Sequence, residues 1–195
     1  MRAQDDELIE RPFRPATPTL YHGSPRPIER DRLTPRFNQS VGGHEGQFVF
    51  ATDHLPMARC YALKDDHMLG VGMFQDERTP YCVIFNRESF LAARVTGTVY
   101  QFPGDGFKQV IVGSYATHEY ISSQTVRLHR ADRIPVNGID DLMADGVQVL
   151  FTRPGLSENE FFLKLRQAHY NPETLLQQEN LISENVVRGL KPALI

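Results

Sequence analysis

Short runs of β-branched and aromatic residues, each cut off by glycine, proline or asparagine, recur along most of this chain and restrict its fold more than any other feature. The clearest are Tyr81-Cys82-Val83-Ile84-Phe85, Gly97-Thr98-Val99-Tyr100-Gln101-Phe102 and Glu119-Tyr120-Ile121-Ser122, with residues 126–129 continuing the third. Branched and flat side chains suit a pleated surface, and the punctuating residues end the ladder. Shorter strands are expected at residues 19–22, 47–51 and 147–151. Helices are fewer. Asp53 reads as the N-cap of one that carries Pro56 in its first turn and Met57, Ala58, Tyr61 and Ala62 on its faces. A short helix is expected over residues 139–144. Many short strands with few helices predict an α+β domain around a curved or split, mainly antiparallel sheet, not a doubly wound parallel one.

Residues 1–18 are polar and proline-punctuated and read as an N-terminal arm, 19–155 as the principal domain, and 156–195 as a C-terminal helical extension packed on it. The extension begins with Ser157 and Glu160 in a capping-box pattern, and Gly189 ends it. Leu175, Leu176, Ile182 and Val186 are expected to pack on the domain's own sheet, giving a monomer or a weak dimer. A net charge of −3 opposes whole-protein attraction to nucleic acid or anionic membrane. Locally, Arg11, Arg14, Arg26, Arg30, Arg32 and Arg36 form a basic stretch, readable as a solvated surface or as a phosphate-facing rim. Cys60 and Cys82 form neither a C-x-x-C pair nor a metal-ligand spacing, which suits a reducing, cytoplasmic setting. The start of the chain lacks an apolar secretory core, and no apolar run approaches the ~18 residues of a membrane span. A protein exported by specialised machinery has the same profile.

Three short motifs carry chemistry, in this order: Tyr21-His22-Gly23-Ser24, then Phe48-Val49-Phe50-Ala51-Thr52-Asp53 running on to Tyr61, then Glu119-Tyr120-Ile121. A histidine leaving a strand before a glycine offers a hydrogen-bonding ring beside backbone that a ligand can approach closely. An aromatic one helical stretch after a strand is a core residue or a stacking wall for a flat ring. A glutamate opening an apolar strand is a rim charge or, in a cleft, a carboxylate that binds a ribose hydroxyl and stabilises an oxocarbenium-like transition state.

In this order and with these flanks, residues 19–151 resemble the ADP-ribosyltransferase fold of the His-Tyr-Glu branch, which includes diphtheria toxin and the poly(ADP-ribose) polymerases. The resemblance implies an NAD-dependent glycosyltransferase that cleaves the nicotinamide–ribose bond and passes ADP-ribose to an acceptor, with NAD as substrate and no metal. It implies that His22 binds the adenine-side ribose and that the backbone of Gly23 holds the nicotinamide amide. Tyr61 would stack on the nicotinamide, and Glu119 would bind the 2′-hydroxyl of the nicotinamide ribose. Ser24, Phe50 and Ala51 would line the same pocket. Nicotinamide leaves first or concertedly, and a nucleophile attacks C1′. Residues 38–47 match the loop that closes over the dinucleotide, and 103–118 the loop that faces the acceptor.

Phe50 departs from the family pattern, which places a tyrosine there; the stacking face is kept and the hydroxyl lost. Thr117, two before the glutamate, replaces the Gln or Glu of the arginine-modifying branch and disfavours arginine as acceptor. Mono-transfer to a protein acceptor is expected, in a toxin, an effector or a housekeeping enzyme. The alternatives are a catalytically silent NAD- or partner-binding module of the same fold, supported by Phe50, and a nucleic-acid-modifying enzyme, supported by the arginine stretch. There is no G-x-G-x-x-G after a strand, no P-loop and no H-E-x-x-H, and His118 with Glu119 and His22 lacks a convincing metal spacing.

Overall fold

The computed structural model of the chain describes residues 17–39, 45–74, 78–112, 114–128, 133–168 and 171–190. In chain order these form β1 (Thr19–Ser24), a 3-10 turn (Glu29–Asp31), β2 (Arg32–Leu33), β3 (Arg36–Gln39), β4 (Glu45–Thr52), α1 (Leu55–Ala62), β5 (Met68–Met73) and β6 (Pro80–Ile84). Then come α2 (Arg87–Ala93), β7 (Gly97–Pro103), β8 (Lys108–Val112), β9 (Tyr115–Ser122), β10 (Val126–Arg127) and β11 (Arg133–Val136). The last third holds α3 (Ile139–Ala144), β12 (Gln148–Thr152), α4 (Glu158–Gln167), α5 (Pro172–Gln177), β13 (Leu181–Ser183) and α6 (Glu184–Val187).

The molecule is therefore α+β with mostly antiparallel sheets. A seven-stranded sheet runs β11-β7-β1-β4-β9-β8, with β3 paired to β4 off that path. A four-stranded sheet runs β13-β12-β6-β5, in which β12 and β6 are parallel. The remaining pair, β10 with β2, is a separate ribbon, so residues 126–127 do not continue β9 as expected.

Strand alternation sorts the side chains into layers. Leu20, Val49, Ala51, Tyr100 and Phe102 bury one face of the large sheet. Tyr21, Val99 and Val136 face the other way, onto α1 and α3, where Ala58, Ala62 and Leu142 close the main core. In β12, Val149 and Phe151 join that core while Leu150 points to a third cluster, with Phe161, Leu175 and Leu181.

Helix α1 reaches the sheet unusually closely. A Cβ on Gly23 would stand 1.9 Å from the Ala58 carbonyl oxygen, and one on Gly97 would stand 1.9 Å from that of Ala62. Two glycines on neighbouring strands thus make a seat for one turn of helix, and Tyr61 is fixed in that turn.

Several expectations need correction. Asp53 does not cap α1: His54 occupies the N-cap without a side-chain capping bond, because the Asp53 carboxylate is engaged by His118 and Tyr120. Of the expected loop 38–47, residues 38–39 belong to β3 and 45–47 to β4, which pair with each other, and residues 40–44 lie outside the described residues. The expected loop 103–118 contains β8 and the start of β9. The C-terminal tail is not purely helical, since β13 extends the smaller sheet. Leu175 is buried and Leu176 packs beside it, but Ile182 and Val186 are exposed. The capping box at Ser157 and Glu160 is present in full. Residues 1–16 of the expected arm, with Arg11 and Arg14, lie outside the described residues.

Candidate functional site

Strands β1 and β4 touch at one register position, Tyr21↔Thr52, while β1 continues alongside β7 as far as Ser24↔Thr98. Beyond Tyr21 the two strands separate, and the sheet opens between His22-Gly23-Ser24 on one lip and β4 on the other. The His22 imidazole bridges this opening, with Nδ1 2.7 Å from the Phe50 carbonyl oxygen. A continued ladder would have set Gly23 opposite Phe50, so the ring takes the place of an interstrand hydrogen bond.

A carbonyl only accepts, so His22 Nδ1 carries the proton and donates it. Burial lowers the His22 pKa below its usual 6.5; the Phe50 carbonyl opposes the shift, and the positive charge of Arg36 adds to it. The ring is therefore neutral at physiological pH, and its Nε2 is an acceptor suited to a hydroxyl. Arg36 stands opposite Phe48 in the β3–β4 hairpin, near enough for its charge to act on His22.

The next row across the sheet is Tyr21–Thr52–Glu119, joined by the β1–β4 and β4–β9 registers. Paired residues share a face, and so do residues two apart along a strand. Glu119, Thr52, Phe50, Phe48 and Gly23 accordingly lie on the face that carries α1. Phe48 and Phe50 meet edge to face at 6.2 Å between ring centroids. Tyr61 projects from α1 into the same region. Its phenol is pushed up to about 12, first by burial and then by the negative charge of Glu119, with Cys60 and Tyr81 adding to it. A phenol so placed stays protonated and serves as a ring and a donor, not as a base.

Between Ile111↔Ala116 and Gln109↔Tyr120 the β8–β9 register shifts, so that Val110 alone faces Thr117, His118 and Glu119. A bulge of this kind re-aims side chains. It is stapled by Thr117, whose hydroxyl donates to the Val110 carbonyl at 2.9 Å and accepts from the Glu119 amide at 3.1 Å. The Gln109 amide donates to the Thr117 carbonyl at 2.7 Å. Thr117 is thus occupied within the sheet.

One residue past this row lies a polar cluster that the motifs did not single out. His118 Nδ1 is 2.7 Å from Asp53 Oδ1, the Tyr120 hydroxyl donates to Asp53 Oδ2 at 3.2 Å, and the His54 ring lies 5.3 Å from that of His118. The His54 pKa is lowered by burial and by His118, against the pull of Asp53. The only sequence signal for the cluster was the adjacency of Asp53 to the second motif and of His118 to the third.

The fold thus brings Gly23, Phe50, Tyr61 and Glu119 to the α1 side of an opening in the sheet, while His22, paired with Tyr100 on the other face, reaches the Phe50 carbonyl across the opening. Ala51 is buried on the opposite face, and Ser24 turns its hydroxyl to the Arg26 carbonyl at 2.7 Å. A concavity of about 370 Å³ between α2 and α3, lined by Phe90, Arg94, Gly138 and Arg188 among others, contains none of these residues. Among the described residues no group of three or more side chains could hold a metal ion, and no helix is long and apolar enough to cross a membrane. No protein-family model matches the chain, and neither a curated protein nor a solved structure matches it at a significant level.

Proposed function

We propose that this chain is an NAD-dependent mono-ADP-ribosyltransferase with an ADP-ribosyltransferase-like split sheet. It would cleave the nicotinamide–ribose bond and transfer ADP-ribose to an acceptor, a protein in preference to nucleic acid. The observation that carries the reading is the placement of Glu119 by register on the same sheet face as Phe50 and Gly23, within the electrostatic reach of Tyr61. The nicotinamide ring would lie between Phe50 and Tyr61, with its amide on the Gly23 backbone. His22 Nε2 would accept a hydroxyl of the adenine-side ribose, and Arg36 would offset phosphate charge. The Glu119 carboxylate would hold the 2′-hydroxyl of the nicotinamide ribose and stabilise the positive charge that grows at C1′ as the ring departs.

Binding energy of that kind is realised in the transition state, so Glu119→Gln should bind NAD nearly as well and lose nicotinamide release by orders of magnitude. Calorimetry with NAD and chromatographic assay of free nicotinamide test both halves. Unchanged release by the variant would remove Glu119 from the chemistry. The absence of a hydroxyl at Phe50 favours the second reading, a silent NAD-binding module. Tight NAD binding without nicotinamide release by the wild-type protein would select it.

A further inference from the structure

We propose that His118, oriented by Asp53, is the general base that takes the acceptor's proton, and that the acceptor nucleophile is a group that must lose one, such as a hydroxyl. The inference rests on the reading of the cleft as an NAD-cleaving site and concerns its acceptor side. A carboxylate accepts only, so the 2.7 Å contact puts a proton on His118 Nδ1, and in the neutral imidazole the lone pair is then on Nε2. Asp53 fixes that tautomer and stabilises the imidazolium that forms, the arrangement by which a carboxylate and a histidine activate a hydroxyl elsewhere. Asp53 is held in turn by the Tyr120 hydroxyl. The His118 side chain keeps 33% of its surface in water, so an incoming group can reach it.

Position supports the same role. The β4–β9 register ends at Thr52↔Glu119, so Asp53 and His118 stand just beyond the proposed catalytic carboxylate. The bulge at residues 117–119 frees His118 from regular pairing, while Thr117 is tied into the sheet and unavailable to an acceptor. His118 is joined to Tyr120 through Asp53, and its ring lies 5.3 Å from that of His54 at the start of α1. A nucleophile cannot enter where nicotinamide is stacked and must approach C1′ from the opposite side of the ribose.

The step balances as follows. The C1′–N bond breaks and its electron pair leaves with neutral nicotinamide. The acceptor oxygen forms the new C1′–O bond, its proton passes to His118 Nε2, and the imidazolium returns that proton to solvent. A carboxylate acceptor has no proton to give up and would make such a base superfluous.

The test uses NAD with water, methanol and sodium azide as nucleophiles, and chromatography of nicotinamide, ADP-ribose, methyl-ADP-ribose and azido-ADP-ribose. His118→Gln should lower the water and methanol products about 10²- to 10⁴-fold. Azide, an anion with no proton to lose, should restore nicotinamide release by the variant toward the wild-type rate. Asp53→Asn should show a smaller loss with the same azide rescue, and a melting curve with NAD calorimetry establishes that each variant is folded and binds. Equal rates for His118→Gln and wild type, or a folded, NAD-binding variant that azide fails to rescue, would overturn the base assignment and leave the role of Glu119 intact. A wild-type protein that releases no nicotinamide with any of the three nucleophiles would overturn the NAD-cleaving reading, and this inference with it.

Discussion

The carbonyl oxygen of Ala58 occupies the place where a side chain on Gly23 would begin, 1.9 Å from the position of its Cβ, and the Ala62 amide nitrogen lies 2.5 Å from the same point. Both obstacles are backbone, so neither can rotate away. Gly23→Ala must lift α1 from the sheet, at a cost of about 1–3 kcal/mol for overpacking of this kind. Each kcal/mol should lower the melting temperature by roughly 2–4 °C in a chain of this size. Because Tyr61 rides on the displaced turn, NAD affinity should fall as well. Thermal melts and calorimetry read the two effects. A variant that melts with the wild type would mean that the helix does not depend on this seat.

Stability should fall on acidification below about pH 6.5. His22 and His54 both have folded-state pKa values lowered from 6.5, chiefly by burial. Between the folded value and 6.5 the unfolded chain binds more protons than the folded one, so stability rises with pH through that window and is full above it. Urea titrations from pH 7 to pH 5 should show the midpoint decreasing, and His22→Gln, which keeps a donor for the Phe50 carbonyl, should flatten part of the slope. An unaltered slope in the double variant His22→Gln/His54→Gln would assign the acid sensitivity to other groups.

Glu184 is fully buried and takes two hydrogen bonds from Arg87, at 2.6 and 2.7 Å, and one from Arg188 at 2.8 Å. Those partners hold its carboxyl below the usual 4.5, against the opposing effect of burial. Glu184→Ala leaves both guanidinium groups without it. The expected cost is about 2–3 kcal/mol, under the full penalty for breaking a buried pair because the Arg87 side chain keeps 43% of its surface in water. Chemical denaturation measures it. A loss below about 0.5 kcal/mol would place this contact among ordinary surface pairs.

What the sequence disclosed follows the physics of burial. β7 and β12 were visible because each buries large apolar side chains on both faces, Val99, Tyr100 and Phe102 in one and Val149, Leu150 and Phe151 in the other. β8 was passed over although Val110, Ile111 and Val112 are three β-branched residues in a row: the resemblance assigned residues 103–118 to a loop, and as an edge strand β8 buries Val110 alone. α2 was missed for a related reason, since its Asn86 cap takes a positive φ of 56° and only Phe90 is buried. At the site, His22, Tyr61 and Glu119 could be picked out because each sits beside a local landmark. The Asp53–His118 pair could not, because its members are 65 residues apart and Asp53 looked like an ordinary helix cap. Thr117 shows the same limit: the sequence marked it only as a departure from the arginine-modifying pattern, and gave no sign that its hydroxyl ties the bulge to the Val110 carbonyl.

The smaller sheet is finished by residues that come after all its other strands in the chain. The Asn185 side chain accepts from the Val149 amide and donates to the Val147 carbonyl, and β13 covers the flank of β12. Until that stretch has been synthesised, the most buried strand of the sheet presents an open hydrogen-bonding edge to its surroundings. The hazard of association between nascent chains is therefore greatest in the interval before translation reaches Asn185, and it ends when the protein supplies its own missing neighbour.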